Sequence, residues 1–223
     1  MTITKISMII AVIALGVTTS WAITITPGNP NNQGTDNVLF NDSSLTLGPG
    51  PLVQGTFNGS GSGYLVDFTS TSNDGMLRGS GGQATITGAG TNSSFTNLSF
   101  MLEGGATFTK AILNPDVTVD GTINFTITYT DMSTGHTFLQ SFSVDGNGQN
   151  FFGISANGTE VINEVTFDLI GTRGMNASQF RIGGFGYPTS TPENGTTAGL
   201  LVLSLGAMEL FRRTRVKHML VRK

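Results

Sequence analysis

The chain has 223 residues, and only 11% of them are charged. An ordinary soluble domain is roughly one-quarter charged, and coiled coils are richer still in Glu, Lys and Arg, so that class is excluded. A charge-rich disordered chain is also excluded, because 38% of the residues are hydrophobic. The sequence has no Cys, which excludes disulfide scaffolds, thiol nucleophiles and Cys-ligated zinc.

The charges are distributed unevenly along the chain. Residues 23–190 contain twelve acids and four bases, a net charge of −8, whereas the last twelve residues contain six bases. An acidic body repels phosphate backbones, so we expect no nucleic-acid partner. A basic segment confined to one end is more typical of membrane orientation.

The N-terminal segment, residues 1–22, has the order of parts found in a secretory signal peptide. A lysine precedes the apolar stretch 6–17, and Ser20 and Ala22 are small residues at the two positions that a signal peptidase inspects. The apolar stretch is shorter than the roughly 20 residues needed to span a bilayer. We therefore predict a signal helix that enters the Sec translocon, with signal peptidase cleaving between Ala22 and Ile23.

The body, residues 23–190, lacks helical periodicity and alternates between apolar and polar side chains. In β-strands this alternation places one face in a core and the other in water. The alternating segments are 84–86, 95–100, 123–129, 138–144, 165–169 and 180–182. Asn-Gly, Asp-Gly and Pro-Gly pairs separate them, as expected for turns. We predict one all-β domain, an antiparallel jelly-roll-like β-sandwich of ten to twelve strands, with a loose arm at 27–50 that contributes one or two edge strands.

The C-terminal segment, residues 191–223, consists of three parts. A polar linker contains Pro192, Glu193 and Asn194, residues 198–211 form a short apolar run, and the remaining residues, 212–223, are basic. The bases that would stop transfer are Arg212, Arg213, Arg215 and Lys217. Because Lys and Arg resist crossing a membrane, this order predicts a short hydrophobic helix with the body outside and the tail in the cytoplasm.

This order of parts resembles a PEP-CTERM sorting signal. Pro192 and Glu193 match its Pro-Glu-Pro-like motif, Asn194 replaces the second proline, and residues 195–197 are closer to the variant that reads roughly Val-Pro-Asp-Ser-Gly. The resemblance implies an exosortase partner, a cysteine protease of Gram-negative bacteria that make exopolysaccharide. It also implies transient anchoring in the inner membrane, followed by delivery to the cell surface or extracellular matrix. A plain C-terminal anchor helix is the alternative.

The body is also similar to exported proteins of this class. The segments that carry the likeness are 149–154, 156–159, 162–167 and 179–184. This resemblance implies a jelly-roll fold and no known chemistry.

Candidate catalytic residues are few, and we predict none. His136 is the only histidine of the body, and we expect it in a solvated hairpin turn at 133–136. Glu160 and Glu164 on one strand would lie about 13 Å apart, wider than the roughly 5–9.5 Å typical of glycosidase carboxylates.

Two loops carry oxygen ligands of the kind that calcium prefers. They are residues 145–148 and 114–120, which contain several Asp and Asn. Neither forms a complete twelve-residue calcium loop, and the same residue types make tight turns. A structural calcium ion is therefore an open alternative, and we predict no other cofactor or metal site.

Taken together, the two ends and the body predict a non-enzymatic surface or extracellular-matrix protein. The alternative is a carbohydrate-binding module that recognises exopolysaccharide, which would need exposed aromatic side chains beside polar groups. Cleavage after Ala22 removes Trp21, the only tryptophan. The aromatic candidates are then Tyr64, Tyr129, Tyr187 and any exposed phenylalanine.

Overall fold

The computed structural model describes residues 22–187 except 29, 32, 43, 72–76, 81–83, 90–92 and 132–133. Within these residues the chain forms thirteen β-strands and no α-helix, which confirms the all-β prediction and slightly exceeds the expected number of strands. The strands are Ile23–Pro27 (β1), Asp36–Leu39 (β2), Leu52–Phe57 (β3), Val66–Thr69 (β4), Leu77–Ser80 (β5), Thr85–Gly88 (β6), Asn97–Leu102 (β7), Lys110–Val117 (β8), Gly121–Asp131 (β9), Thr134–Val144 (β10), Phe152–Ala156 (β11), Val161–Ile170 (β12) and Gly174–Gly183 (β13).

The strands form one nearly closed antiparallel sheet. Its order is β1-β11-β8-β13-β2-β3-β4-β7-β12-β9-β10, and β6 and β5 branch from β13. The two end strands, β1 and β10, approach each other without pairing in the described part of the chain. Residues 23–25 and 138–140 line a cleft of about 300 Å³ where they meet.

The segment predicted to be a loose arm, residues 27–50, contains a strand in the interior of the sheet order. Strand β2 pairs with β13 on one side and with β3 on the other. Asn37 lies opposite Arg181, and Val38, which lies opposite Phe57, is fully buried. The arm therefore contributes a connecting strand and a core side chain, which the abundance of Asn, Gly and Pro in this segment did not indicate.

The core is rich in phenylalanine and connects strands that are distant in the sheet order. The rings of Phe68 and Phe180, on β4 and β13, lie 4.7 Å apart, and Phe100 of β7 lies 5.7 Å from Phe180. A second contact joins Phe125 of β9 to Phe152 of β11 at 5.0 Å. Such edge-to-face pairs stabilise a core beyond the area they bury.

The two predicted helices, at 1–22 and 198–211, lie almost entirely or entirely outside the described residues. Within the described ranges, no helix has the length and apolar character needed to cross a membrane.

Candidate functional site

The predicted signal-cleavage site lies at the beginning of β1. Ile23 is fully buried and lies opposite Ala156 of β11. The backbone N–H of Asn157 donates to the carbonyl oxygen of Ala22 at 2.9 Å. The predicted cut between Ala22 and Ile23 thus lies immediately before the first residue of strand β1.

The predicted sorting motif and basic cluster lie outside the described residues. The motif comprises Pro192, Glu193 and Asn194. The cluster comprises Arg212, Arg213, Arg215 and Lys217. These residues therefore remain predictions from the sequence.

His136 lies in strand β10, so its prediction as a turn residue is wrong. It is opposite Tyr129 of β9, and the two rings stack with centroids 5.3 Å apart. Hairpin pairing continues to Thr134 and Asp131, so the strands extend further than the Ser, Thr and Gly content suggested. The imidazole packs against a ring and has no nucleophile beside it in the described contacts.

The two glutamates predicted to share a strand face do not lie on one regular strand. Glu160 precedes β12, which begins at Val161, and a register shift separates Ile162 from Glu164. Glu164 accepts hydrogen bonds from the hydroxyls of Ser99 and Thr166. These neighbours give Glu164 a hydrogen-bonding role on the outer face of the sheet.

Of the two segments considered for calcium, residues 114–117 lie in strand β8, so their prediction as part of a loop is wrong. Segment 114–120 and the turn at 145–148 are joined through side-chain hydrogen bonds. The amide Nδ2 of Asn150 donates to the carbonyl oxygens of Pro115 and Asp145 at 3.2 and 3.0 Å. Asn114 Oδ1 accepts from the backbone N–H of Asn150, and Asp120 Oδ1 accepts from the N–H of Gly146, both at 2.9 Å. These oxygens hold turns, and the described residues contain no group of three or more metal-ligating side chains.

Other carboxylates also cap turns. Asp36 Oδ2 accepts from the hydroxyl of Ser60 at 2.8 Å and from the N–H of Gly61 at 2.6 Å. Asp42 Oδ1 accepts from the N–H and the hydroxyl of Ser44, and these hydrogen bonds lower the pKa of the exposed Asp42 carboxyl. Hydrogen bonds to the ionised form of a carboxylate favour that form.

A column of aromatic rings extends from the core to solvent at one end of β13. Phe57 packs against Phe185 at 4.9 Å, Tyr64 stacks on Phe185 at 5.2 Å and 18°, and Tyr187 lies 5.5 Å from Tyr64. Exposure increases along this aromatic column, from 7% for Phe57 to 64% for Tyr187. A Cβ atom on Gly61 would come within 2.6 Å of the Phe185 ring, so only glycine allows this loop to pack against the column.

An open cleft lined by carboxylates lies near the aromatic column. It has a volume of about 380 Å³, and its lining includes Asp67, Glu103, Glu164, Thr128 and Asn163, with no Lys or Arg. Asp67 of β4 and Glu164 of β12 are both opposite Met101 of β7. They therefore lie on the two strands that flank β7, at the same level of the sheet. Hydrogen-bonded strands lie about 4.8 Å apart, so the backbones at Asp67 and Glu164 are separated by roughly 10 Å. We name this feature the acidic cleft.

Segment 103–107 connects the aromatic column with the acidic cleft. The N–H of Glu103, a lining residue of the cleft, donates to the carbonyl oxygen of Leu65, the neighbour of Tyr64, at 2.9 Å. Thr107 and Gly186 exchange two backbone hydrogen bonds, at 2.6 and 2.9 Å. In the sequence, Gly186 is the residue between Phe185 and Tyr187 of the column. The exposed ring of Tyr187 and the hydrogen-bond acceptors of the acidic cleft are therefore linked through the backbone of segment 103–107.

The sequence identified only part of this site. Tyr64 and Tyr187 were among the candidate exposed aromatics, but more than a hundred residues separate them in the sequence. The pairing of Gly186 with Thr107 and the packing of Phe185 on Phe57 and Tyr64 bring them together. Glu103 was missed because a single acid beside two glycines carries no recognisable motif. Comparison with protein-family models, with curated proteins and with solved structures finds no match to this chain.

Proposed function

We propose that this chain is a non-enzymatic protein of the cell surface or extracellular matrix, exported and sorted through signals at its two ends. The observation that carries the proposal is the order of parts: a signal-like segment, an acidic β-rich body, and a polar linker followed by an apolar run and a basic cluster. The body supports it, because its Asp and Asn side chains cap turns. We further propose that the sheet forms a jelly-roll-like sandwich, with β2 connecting two layers.

The experiment expresses the full chain in a Gram-negative host that makes exopolysaccharide and encodes an exosortase. Mass spectrometry of surface material should give a protein that begins at Ile23 and lacks Lys223. Replacing Pro192 and Glu193 with alanine should leave export intact and block C-terminal cleavage, so that the chain accumulates in the inner membrane. Replacing Thr189 and Ser190, which precede the motif, with alanine serves as the matched control and should leave processing unchanged.

Two outcomes would overturn parts of this proposal. Surface protein that retains Lys223 would reduce the C-terminal segment to a plain anchor. Protein that retains Met1 would remove the signal-peptide assignment. Replacing the four stop-transfer bases with neutral residues should let the tail cross the membrane out of the cytoplasm. Replacing four serines of the body should leave the tail in the cytoplasm.

A second candidate function is carbohydrate binding with the same delivery. The observation that favours it is the exposed ring of Tyr187, whose chain neighbour Gly186 pairs with Thr107, next to Ala106 of the acidic cleft. Binding sites combine apolar or aromatic surface with a few polar groups that fix orientation. This candidate and the matrix role are compatible, because a matrix protein benefits from holding the polymer around it.

A further inference from the structure

We infer that the aromatic column and the adjoining acidic cleft form a binding site for neutral polysaccharide, with the face of Tyr187 as its platform. This inference rests on the carbohydrate-binding candidate above and names its site and ligand class. Sugar rings present a face of C–H bonds that packs on the electron-rich face of an aromatic ring. Tyr187 is 64% exposed and offers such a face.

The platform is supported from beneath, which distinguishes it from an isolated surface tyrosine. Tyr64 lies 5.5 Å from Tyr187 and stacks on Phe185, which in turn packs on the buried Phe57. A ring held by packing loses little conformational entropy when a ligand binds, so less of the binding free energy is spent on ordering. The backbone on the N-terminal side of Tyr187 is fixed by the pairing of Gly186 with Thr107.

Charge selects the class of polysaccharide. The cleft beside the platform is lined by Asp67, Glu103 and Glu164 and by no Lys or Arg. Ionised carboxylates accept hydrogen bonds from hydroxyl groups, and such charge-assisted bonds are stronger than neutral ones. The same carboxylates repel uronates and sulfates. A neutral hexose polymer therefore fits both parts of the site, and an acidic polymer fits only the ring. A cationic polymer would pair with the carboxylates without needing the ring, so its retardation alone would not show stacking on Tyr187.

The chain offers a matched control at a second tyrosine. Tyr129 is also partly exposed and stacks on His136 at 5.3 Å, but it is not among the residues that line the acidic cleft. A nonspecific affinity of tyrosine for sugar would involve Tyr129 and Tyr187 alike. The inferred site requires Tyr187 and not Tyr129.

The test is affinity electrophoresis of the full chain, purified as the host produces it, in gels that contain a defined polymer. The neutral polymers are hydroxyethyl cellulose, dextran, mannan and galactan, and the charged controls are alginate and chitosan. We expect retardation by at least one neutral polymer and none by alginate. The Tyr187→Ala variant should weaken the retained complex about fivefold to tenfold, the effect of losing one stacking contact.

Further variants separate stacking from folding. Tyr187→Phe should keep the retardation because the ring remains, and Tyr129→Ala should leave it unchanged. The Glu103→Gln variant should still be retarded by neutral polymers, and it should also be retarded by alginate because one repelling carboxylate is removed. Thermal unfolding of Tyr187→Ala should match that of the unsubstituted chain, because an exposed ring contributes little to stability.

Several results would overturn the inference. These are the absence of retardation by every neutral polymer, retardation by chitosan or alginate alone, or equal losses in Tyr187→Ala and Tyr129→Ala. The proposal on sorting is tested separately: a chain that is processed and delivered normally but binds no polymer refutes this site only. A chain that binds neutral polymer but is neither exported nor cleaved refutes the delivery and leaves the site.

Discussion

Strands β9 and β10 have the same length and almost the same alternating pattern, yet their positions in the sheet give them different environments. The two strands pair residue for residue without a register shift. In β9, Ile123, Phe125 and Ile127 are essentially inaccessible, as the alternation predicted. In β10, Phe138 and Phe142, which lie on the same inward face opposite Ile127 and Ile123, are only partly buried.

The difference arises from topology and not from local sequence. Strand β9 lies between β10 and β12, whereas β10 ends the sheet and pairs only with β9 in the described residues. A central strand has neighbours on both sides, so its inward side chains are covered from several directions. An alternating pattern therefore predicts which face is apolar, but the order of strands determines how deeply that face is buried.

The largest expected effect on stability comes from replacing Phe125, a buried ring of the central strand β9, with alanine. Phe125 is 1% exposed and lies 5.0 Å from Phe152 and 6.0 Å from Phe167. Phe125→Ala should lower the free energy of unfolding by about 3–5 kcal/mol, because it removes apolar contacts and leaves a cavity. The matched change on the edge strand, Phe142→Ala, should cost about 1–2 kcal/mol, because that ring is only partly covered.

Urea denaturation of the purified chain measures both effects. Equal losses for Phe125→Ala and Phe142→Ala would contradict the contrast between the central and the edge strand. A large loss for Phe142 alone would mean that β10 is covered in solution by another part of the chain or by a second copy.

The second prediction uses a glycine on each strand. A Cβ atom on Gly121 of β9 would lie 2.6 Å from Cγ2 of Thr172 and 2.8 Å from the carbonyl oxygen of Ile170. Gly121→Ala should therefore destabilise the fold by about 1–3 kcal/mol, the usual cost of overpacking. Gly135 of β10 has no atom within 4 Å of such a Cβ, so Gly135→Ala should leave stability unchanged or raise it by up to about 1 kcal/mol, by restricting the unfolded chain.

Differential scanning calorimetry distinguishes these two alanine variants. The opposite order, with Gly135→Ala the less stable, would show that β10 packs against a surface that the contacts of the described residues lack. The oxygen of Ile170 makes Gly121 the stricter position, because a backbone atom moves less readily than the end of a side chain.

The sequence was sufficient for the class of fold and for the inward faces of its strands. Alternation identified Phe167 and Phe180 as apolar positions within strands, and both are buried. It could not place β2 between β13 and β3, because strand order depends on pairings between residues far apart in the chain. His136 was misassigned for a local reason, since the Thr and Gly beside it suit both a turn and the end of a hairpin strand.

The candidate site shows the same limit. Its rings and acids come from separate segments, and each is unremarkable in its own segment. Tyr64 follows a glycine-rich turn, Glu103 precedes two glycines, and Tyr187 follows the last strand. The hydrogen bonds of segment 103–107 to Leu65 and Gly186, together with the ring contacts of Phe185, bring them to one end of the sheet. A motif search finds residues at fixed spacing, and this site has no fixed spacing.

The smallest expected effect on stability, and the sharpest test of the edge position of β10, is a charge at Leu139. Residues 134–144 contain no Asp, Glu, Lys, Arg or Pro. Proteins commonly place charges or proline on exposed edge strands, because an unpaired edge can pair with another chain. Leu139 is opposite Thr126 and 70% exposed, so Leu139→Lys should change the free energy of unfolding by no more than about 0.5 kcal/mol.

The same substitution should reduce self-association of the chain at high concentration, because two lysines would face each other if β10 strands of two copies paired about Leu139. Leu139→Thr is the matched control: it removes the apolar side chain, adds no charge and suits a strand, so it should reduce association less than lysine does. Sedimentation velocity over a range of concentrations measures the difference. Identical association of all three proteins would mean that the edge of β10 is not an accessible pairing surface, and the contrast with β9 would then be limited to the burial of side chains.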